Sequence, residues 1–296
     1  MNVQVSNGTL PQPAGHSAGR AGSPDFIRCP VCAEPARFAY EHPEARIFRC
    51  SACTHAFSDP DSLHGLERYS AEYYEEAHRN WFANPNFELF EWIERQIPST
   101  CKSLIDVGCG RGQFLDYVRS KRPDIRLVGV DLSENQSRNG IEFHCGDALG
   151  LQLGTFDAVV SLATIDHVPH IAGFAQRVHD LCNPGGVAFV MTLDDGSLLY
   201  RASRLARLVG VPVGFNRLYS AHHLHHFTNK SLVRLLARAG LQVQRTLHHS
   251  VPLKALDLPV SPLVRPLFLA GVKTVFSVGD LVGLSYLQTI MVQRGQ

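Results

Sequence analysis

The sequence predicts an α/β protein built on a mostly parallel sheet with helices on both faces, preceded by a small cysteine-rich module. Three observations carry this expectation. Short apolar runs alternate with stretches of helical period from about residue 101 to 193, a glycine-rich turn follows the first run, and two Cys-x-x-Cys pairs stand ahead of it. A chain of 296 residues with 45% hydrophobic content can bury one large core and carry a small appendage. The net charge is +1 and the Lys and Arg residues are scattered, which argues against a strongly nucleic-acid-binding surface. Neither a signal peptide nor an apolar run of about 18 residues stands out, so the expectation is a cytoplasmic protein without a transmembrane segment. In a reducing compartment the eight cysteines suggest metal ligands and buried thiols rather than disulfides.

Residues 1–24 are rich in Gly, Pro, Ser, Asn and Ala without an apolar period, and read as a disordered leader. A module follows over 25–60. Cys29-Pro-Val-Cys32 and Cys50-Ser-Ala-Cys53 have the spacing of a four-thiolate zinc ribbon, with strands over Arg37–Tyr40 and Arg46–Arg49. Two matched pairs favour zinc over a redox pair or unrelated buried thiols. Four sulfurs complete the coordination, so the metal would be structural. His55, close by, reads as an ordinary surface residue. Residues 61–100 form an aromatic connector with Tyr69, Tyr73, Tyr74, Trp81, Phe82, Phe87, Phe90 and Trp92, and a helix over its last part ending at Pro98. Tyr69 and Tyr73 are substrate-side candidates, although such aromatics more often pack a helix onto a core.

The region from 101 to 296 holds the main sheet. Leu104–Val107 reads as a buried strand, and Phe114, Leu115 and Val118 recur at helical spacing after Gly108, Gly110 and Gly112. Ile125–Val130 is a second strand ending in Asp131, and Ile141–Cys145 a third, followed by Gly146-Asp147-Ala148. Phe156–Leu162 is a fourth, with a helix across Ile171–Leu181, a turn at Asn183-Pro-Gly-Gly186 and a fifth strand over Val187–Leu193. Leu241–His248 and Ser285–Gln293 would be two antiparallel edge strands. The apolar stretch between them, about 252–282, reads as an inserted helical pair. A lid, a homodimer face or peripheral contact with a membrane are the roles open to it, and its few basic residues disfavour the last.

A strand, a tight glycine turn and a helix start bring backbone N–H groups toward a ligand. A nicotinamide-binding loop would place Gly or Ala at 113, where Gln stands, and a P-loop lysine is absent. Asp106-x-Gly-x-Gly-x-Gly112, with Asp131 and Asp147 at successive strand ends, suits a nucleoside-like cofactor without a phosphate. Leu104-Ile-Asp-Val-Gly-Cys-Gly-Arg-Gly112, Gly129-Val-Asp-Leu-Ser133, Gly146-Asp-Ala148, Phe156-Asp-Ala-Val-Val-Ser161 and Pro184-Gly-Gly186 together resemble the class I S-adenosylmethionine-dependent methyltransferases over about 101–247. The resemblance implies a seven-stranded, Rossmann-like sheet and S-adenosylmethionine as cofactor. It also implies that Gly108, Cys109, Gly110 and Gly112 cradle the methionine part and that Asp106 orients it. Asp131 with Leu132 would take the ribose side, Asp147 with Ala148 the adenine, and Ser161 would lie beside the cofactor.

Ala163-Thr-Ile-Asp-His-Val-Pro169 resembles the family's Glu-His-Val-Pro segment, with Asp166 as the acid. Ala221-His-His-Leu-His-His-Phe-Thr228 resembles its Pro-Glu-His-Leu-x-x-Phe-Thr segment without the Pro-Glu pair. Methyl transfer to a hydroxyl benefits from a general base, for which histidine suits neutral pH. His167, His223, His225 and His226 are the candidates, with His223 first and His167 second. The cluster could instead suggest a metal site, but the sequence shows no adjacent carboxylate partner for it. The combination of ribbon, tyrosine-rich stretch and this core resembles methyltransferases of sugar and cell-surface polysaccharide biosynthesis. The expected reaction is therefore methyl transfer to a small molecule, first a sugar or sugar-nucleotide hydroxyl or keto-sugar carbon. Methylation of an rRNA base and a non-catalytic, cofactor-binding docking protein are the rival readings.

Overall fold

The computed structural model describes residues 25–63, 79–134, 136–256, 263 and 265–296. Tyr69, Tyr73 and Tyr74 therefore lie outside the described residues. Two sheets organise the rest. The larger contains β5 (Ser103–Val107), β6 (Arg126–Asp131), β7 (Ile141–Cys145), β8 (Phe156–Leu162), β9 (Cys182–Leu193), β11 (Leu241–His249) and β12 (Leu287–Arg294). Its order is β11-β12-β9-β8-β5-β6-β7, a seven-stranded sheet in which β12 alone runs antiparallel to its neighbours. The chain order reverses between β5 and β8, and open parallel sheets bind ligands at the carboxyl ends of strands beside such a reversal.

The burial pattern explains why these runs are strands. Ile105 and Val107 pack on one side of β5 and Leu104 on the other, all buried, so the strand is apolar on both faces rather than alternating. The Ile105 side is covered by α4 (Ile171–Leu181) and α7 (Asn229–Arg238), through Phe174, Val178, Leu232 and Leu235. The Leu104 side is covered by α2 (Phe87–Gln96) and α3 (Gln113–Lys121), through Phe90, Ile93, Phe114 and Val118. Asn86 caps α2 by accepting from the Leu89 N–H, and Thr228 with Ser231 closes a capping box at α7. A short helix, α1 (Arg79–Ala83), precedes α2.

The Asn183–Gly186 turn does not separate helix from strand. Cys182 pairs with Phe156 and Val187 with Ala158, so the Pro-Gly-Gly residues bulge out within one long β9. Gly185 supplies the positive φ, and the Asn183 amide donates to Asp157 Oδ1 at 2.8 Å. The expected helical pair at 252–282 resolves into a 3-10 turn at Leu253–Ala255 and one helix, α8 (Arg265–Leu281), with 257–262 and 264 outside the described residues. Sequence reasoning missed α5 (Leu198–Leu208) and α6 (Val213–Leu218), which follow β9. Ser197 caps α5 by accepting from the Tyr200 N–H, and Tyr200, Phe215 and Tyr219 carry this pair into the Leu104-side core.

The smaller sheet runs β1 (Phe26–Arg28), β2 (Pro35–His42), β3 (Ala45–Cys50), β4 (Ala56–Ser58) and β10 (His225–His226), all antiparallel. Its fifth strand comes from a segment about 170 residues further on, since His225 pairs with Phe57 and His226 with Ala56. The cysteine module is therefore paired, strand to strand, with the large unit. Phe48 and Phe57 join the core on the Ile105 side, and Ile47 and Ala56 join the other.

Candidate functional site

The glycine loop is built at the carboxyl end of β5. Gly108, Gly110 and Gly112 all have positive φ, at 75°, 51° and 74°, which L side chains rarely adopt. A Cβ on Gly108 would fall inside the Thr164 side chain, and one on Gly112 would lie 2.6 Å from the Phe143 ring. Gly112 is the N-cap of α3 and no side chain caps that terminus. The loop is thus pressed between neighbours, with its backbone N–H groups and a helix N-terminus toward the strand ends.

Three acidic residues surround the loop in different ways. Asp106 is buried, and its Oδ1 has no hydrogen-bond partner among the described residues. Burial, with Asp131 nearby, pushes its carboxyl up to about 8. Such a group fits a cationic ligand atom, which would restore its charge. Asp131, at the end of β6, accepts from the Gly110 N–H at 2.7 Å through Oδ2 and from the Ser133 N–H at 2.9 Å through Oδ1. It thereby holds the loop at the carboxyl end of β6. Asp147, after β7, is exposed, and its Oδ1 accepts from the Leu149 N–H at 2.9 Å, forming an Asx turn beside the buried Ala148. Leu132 is exposed next to Asp131, and Cys109 is partly exposed with its thiol pushed up by burial. Ser161 is buried on β8, its hydroxyl without a partner among the described residues. The orphaned Asp106 and Ser161 oxygens and the glycine cradle fit S-adenosylmethionine.

The structure sorts the histidines. His225 and His226 are buried in β10, where burial lowers His225 to about 4 and His226 well below the ordinary value. Both are structural members of the small sheet, which removes them as candidate bases. His55 is likewise buried, not a surface residue: it stacks on Phe57 with centroids 5.7 Å apart and on His225 at 5.3 Å. His167 and His223 face each other, ring centroids 5.0 Å apart. The carboxylate that seemed lacking is Asp166, buried, with Oδ2 3.8 Å from His167 Nε2. The Thr164 hydroxyl donates to the Val107 carbonyl at 3.3 Å and the His167 N–H to the Thr164 carbonyl at 3.0 Å, which ties this turn to the glycine loop.

Cys29, Cys32, Cys50 and Cys53 are buried with their sulfurs within 4.8 Å of one another. Cys29 and Cys53 are 3.5 Å apart, as are Cys32 and Cys50. A tetrahedron of sulfurs about 2.3 Å from a zinc ion would have edges of about 3.8 Å. The two turns are alike: Ala33 and Thr54, each just after the second cysteine of its pair, have φ of 64° and 67°. Their N–H groups donate to the carbonyls of Cys29 and Cys50 at 2.8 and 2.9 Å. The Cys29 thiol, as a hydrogen-bond partner, draws the Cys53 thiol down to about 5. This donor set fits a closed zinc site.

A methyltransferase domain family matches residues 70–246, more than half of the chain. The chain belongs to this family, and with this sheet and glycine loop it is a class I S-adenosylmethionine-dependent methyltransferase. Ubiquinone biosynthesis O-methyltransferase of Ralstonia nicotianae is 29% identical over 212 residues, covering 64% of this chain and 84% of that one. The protein of the same name from Thiobacillus denitrificans is 26% identical over 197 residues, covering 59% and 82%. Among solved structures, 1,6-didemethyltoxoflavin-N1-methyltransferase of Burkholderia thailandensis with bound S-adenosylhomocysteine aligns with a TM-score of 0.53 at 16% identity, over 88% of this chain and 99% of that one. Phosphoethanolamine N-methyltransferase 2 of Haemonchus contortus with S-adenosylmethionine aligns with a TM-score of 0.57 at 14% identity, over 81% and 62%. Likeness at these identities speaks for the fold. Among the described residues, no helix is long and apolar enough to cross a membrane.

Proposed function

We propose that the enzyme methylates a hydroxyl group of a small molecule, with the His167–His223 pair acting on the acceptor. The observation that carries this reading is a backbone carbonyl set against Nδ1 of both rings. His167 Nδ1 lies 2.6 Å from the His222 carbonyl and His223 Nδ1 3.2 Å from the Leu218 carbonyl. A carbonyl can only accept, so Nδ1 carries the proton and Nε2 presents a lone pair, as a general base requires. S-adenosylmethionine supplies an electrophilic methyl group on a good leaving group, and the chain's task is alignment, exclusion of water and removal of one proton. Asp106 would receive the cofactor's ammonium group, Asp131 its ribose hydroxyls, and Ser161 and Ala148 would line its flank.

Sugar and sugar-nucleotide hydroxyls are one acceptor class. The O-methyltransferase name of the relatives supports oxygen as the acceptor atom and adds phenolic hydroxyls as the second class. The four thiolates favour structural zinc and a reducing, cytoplasmic setting for it. A screen of sugar nucleotides, dihydroxyphenols and RNA with radiolabelled S-adenosylmethionine tests the reading. Label is expected in a small-molecule ether; label in RNA alone would sink the proposal. Replacing His223 by Gln is expected to lower kcat about 10²-fold or more, with cofactor affinity retained in calorimetry.

A further inference from the structure

One row of side chains crosses the whole small sheet. Phe26 pairs with Arg37, Arg37 with Arg49, Arg49 with Ala56 and Ala56 with His226, so these residues share a single face. Ile27, Ala36 and Cys50 form the neighbouring row on the opposite face, toward the thiolates. The first row is graded: Ala56 and His226 are buried, Arg49 is partly covered, and Arg37 and Phe26 are exposed. Its middle sets Arg37 directly opposite Arg49 on adjacent strands. Like charges so placed cost stability unless an anion lies between them.

The acid supply does not match. Among the described residues, Asp195 is the one carboxylate in ion-pair contact here, 2.7 Å from Arg49 and 3.0 Å from Arg204 of α5, while Arg37 makes no ion pair. Three guanidinium groups thus share one carboxylate, which leaves two positive charges in excess. The Arg49 and Arg204 side chains keep 27% and 21% exposure, whereas that of Asp195 keeps 1%. Arg204 reaches Asp195 and the Tyr219 hydroxyl through Nη1 alone, and its Nε and Nη2 make no hydrogen bond among the described residues. A fork edge with donors to spare therefore stands beside a like-charged pair.

We propose that Arg37, Arg49 and Arg204 bind a phosphate or diphosphate group, either free or carried by a nucleotide. A phosphate dianion matches the excess of two charges, and guanidinium forks take its oxygens in pairs. Phe26, 52% exposed at the outer end of the row and already faced by Arg37 at 5.3 Å, offers a ring on which a nucleotide's base can lie. The site belongs to the small sheet, whereas the glycine loop follows β5 in the large one, and it does not rest on the methyl-transfer reading.

The test uses the full chain with zinc bound, at physiological ionic strength, with S-adenosylhomocysteine saturating the glycine loop so that no nucleotide binds there. Calorimetric titration with pyrophosphate should find one site per chain, and the Kd should rise at least about tenfold in Arg37→Gln. Arg37 is exposed and outside the Asp195 contacts, so this variant spares the fold. Pyrophosphate should raise the melting temperature of the parent more than NaCl of equal ionic strength does, and the difference should shrink in the variant. Without the anion, Arg37→Gln should melt no lower than the parent, because it removes a like-charged cross-strand pair. Pyrophosphate acting only as salt does, equal affinity in the variant, or a variant that melts lower without the anion would each overturn the site. Uridine diphosphate separates the two sources. Tighter binding than pyrophosphate, with the gain erased in Phe26→Ala, assigns the site to a nucleotide; equal affinity assigns it to the free anion.

Discussion

Burial holds the Asp106 carboxyl at about 8, so if Asp106 receives the cofactor's ammonium group as proposed, pH acts on cofactor binding through it. The carboxylate form, which attracts an ammonium group, is the minor form at neutral pH without ligand. S-adenosylmethionine affinity should therefore rise with pH to about 8 and then level off, and binding below that pH should release a proton. Calorimetry in buffers of different ionisation enthalpy reads both effects. In Asp106→Asn the dependence should vanish and the affinity should fall. Stability runs the other way. The folded value exceeds the ordinary 3.8, so the ligand-free protein holds a proton that its unfolded chain has lost. It should lose stability as pH rises between about 4 and 8, a loss absent from Asp106→Asn melting curves. Gly108→Ala combines positive φ with a clash against Thr164 and should cost about 1–3 kcal/mol, read by denaturant titration. These residues were legible because their chemistry is local: glycine spacing and strand-end acids follow from one βα turn. Ser161 and Ala148 came only with the family resemblance.

At the scale of elements, β10 couples the four-cysteine module to the proposed acceptor side. Only Leu224 separates it from His223, its His225 N–H donates to the Asp166 carbonyl at 3.1 Å, and its ladder partner β4 starts three residues after Cys53. Cys50→Ser should release zinc and loosen β4, and with it β10. Turnover should then fall further than S-adenosylmethionine affinity, because the glycine loop sits on β5 in the other sheet. Zinc content, cofactor calorimetry and acceptor kinetics on one preparation check this ordering. The strands themselves were readable from apolar runs. The sorting of four histidines within five residues was not, since a two-residue strand has no period to detect. His55 was misjudged for a related reason: its covering partners, His225 and Phe227, arrive from about 170 residues away. Helices α5 and α6 escaped because the Arg-containing stretch 198–219 shows an apolar face only once Tyr200, Phe215, Leu218 and Tyr219 are seen to pack inward.

For the whole molecule, one buried acid joins three parts of the chain. Asp195, just past β9, accepts from Arg49 of β3 at 2.7 Å, from Arg204 of α5 at 3.0 Å and from the Tyr219 hydroxyl. Burial works against the Arg49 charge, and the Asp195 carboxylate outweighs it, holding the guanidinium above its ordinary value. An Asp195→Asn variant leaves two guanidinium groups facing a neutral amide and should lose about 3 kcal/mol. If the unfolding free energy from denaturant titration falls by less than a third of that, the network is peripheral to stability. Nothing in the order of residues pairs Arg49 with Asp195, which is why long-range polar contacts of this kind stay hidden until the fold is known.

The borrowed strand β10 also governs how this protein can be cut. A fragment ending near residue 63 would carry the thiolates with β4 as a bare edge, and a fragment starting beyond it would leave His225, His226 and Phe227 facing water. Each half would offer an unpaired ladder to its neighbours, a recipe for self-association. The two pieces should instead recover a monodisperse, zinc-loaded particle when expressed together, each acting as the other's missing template.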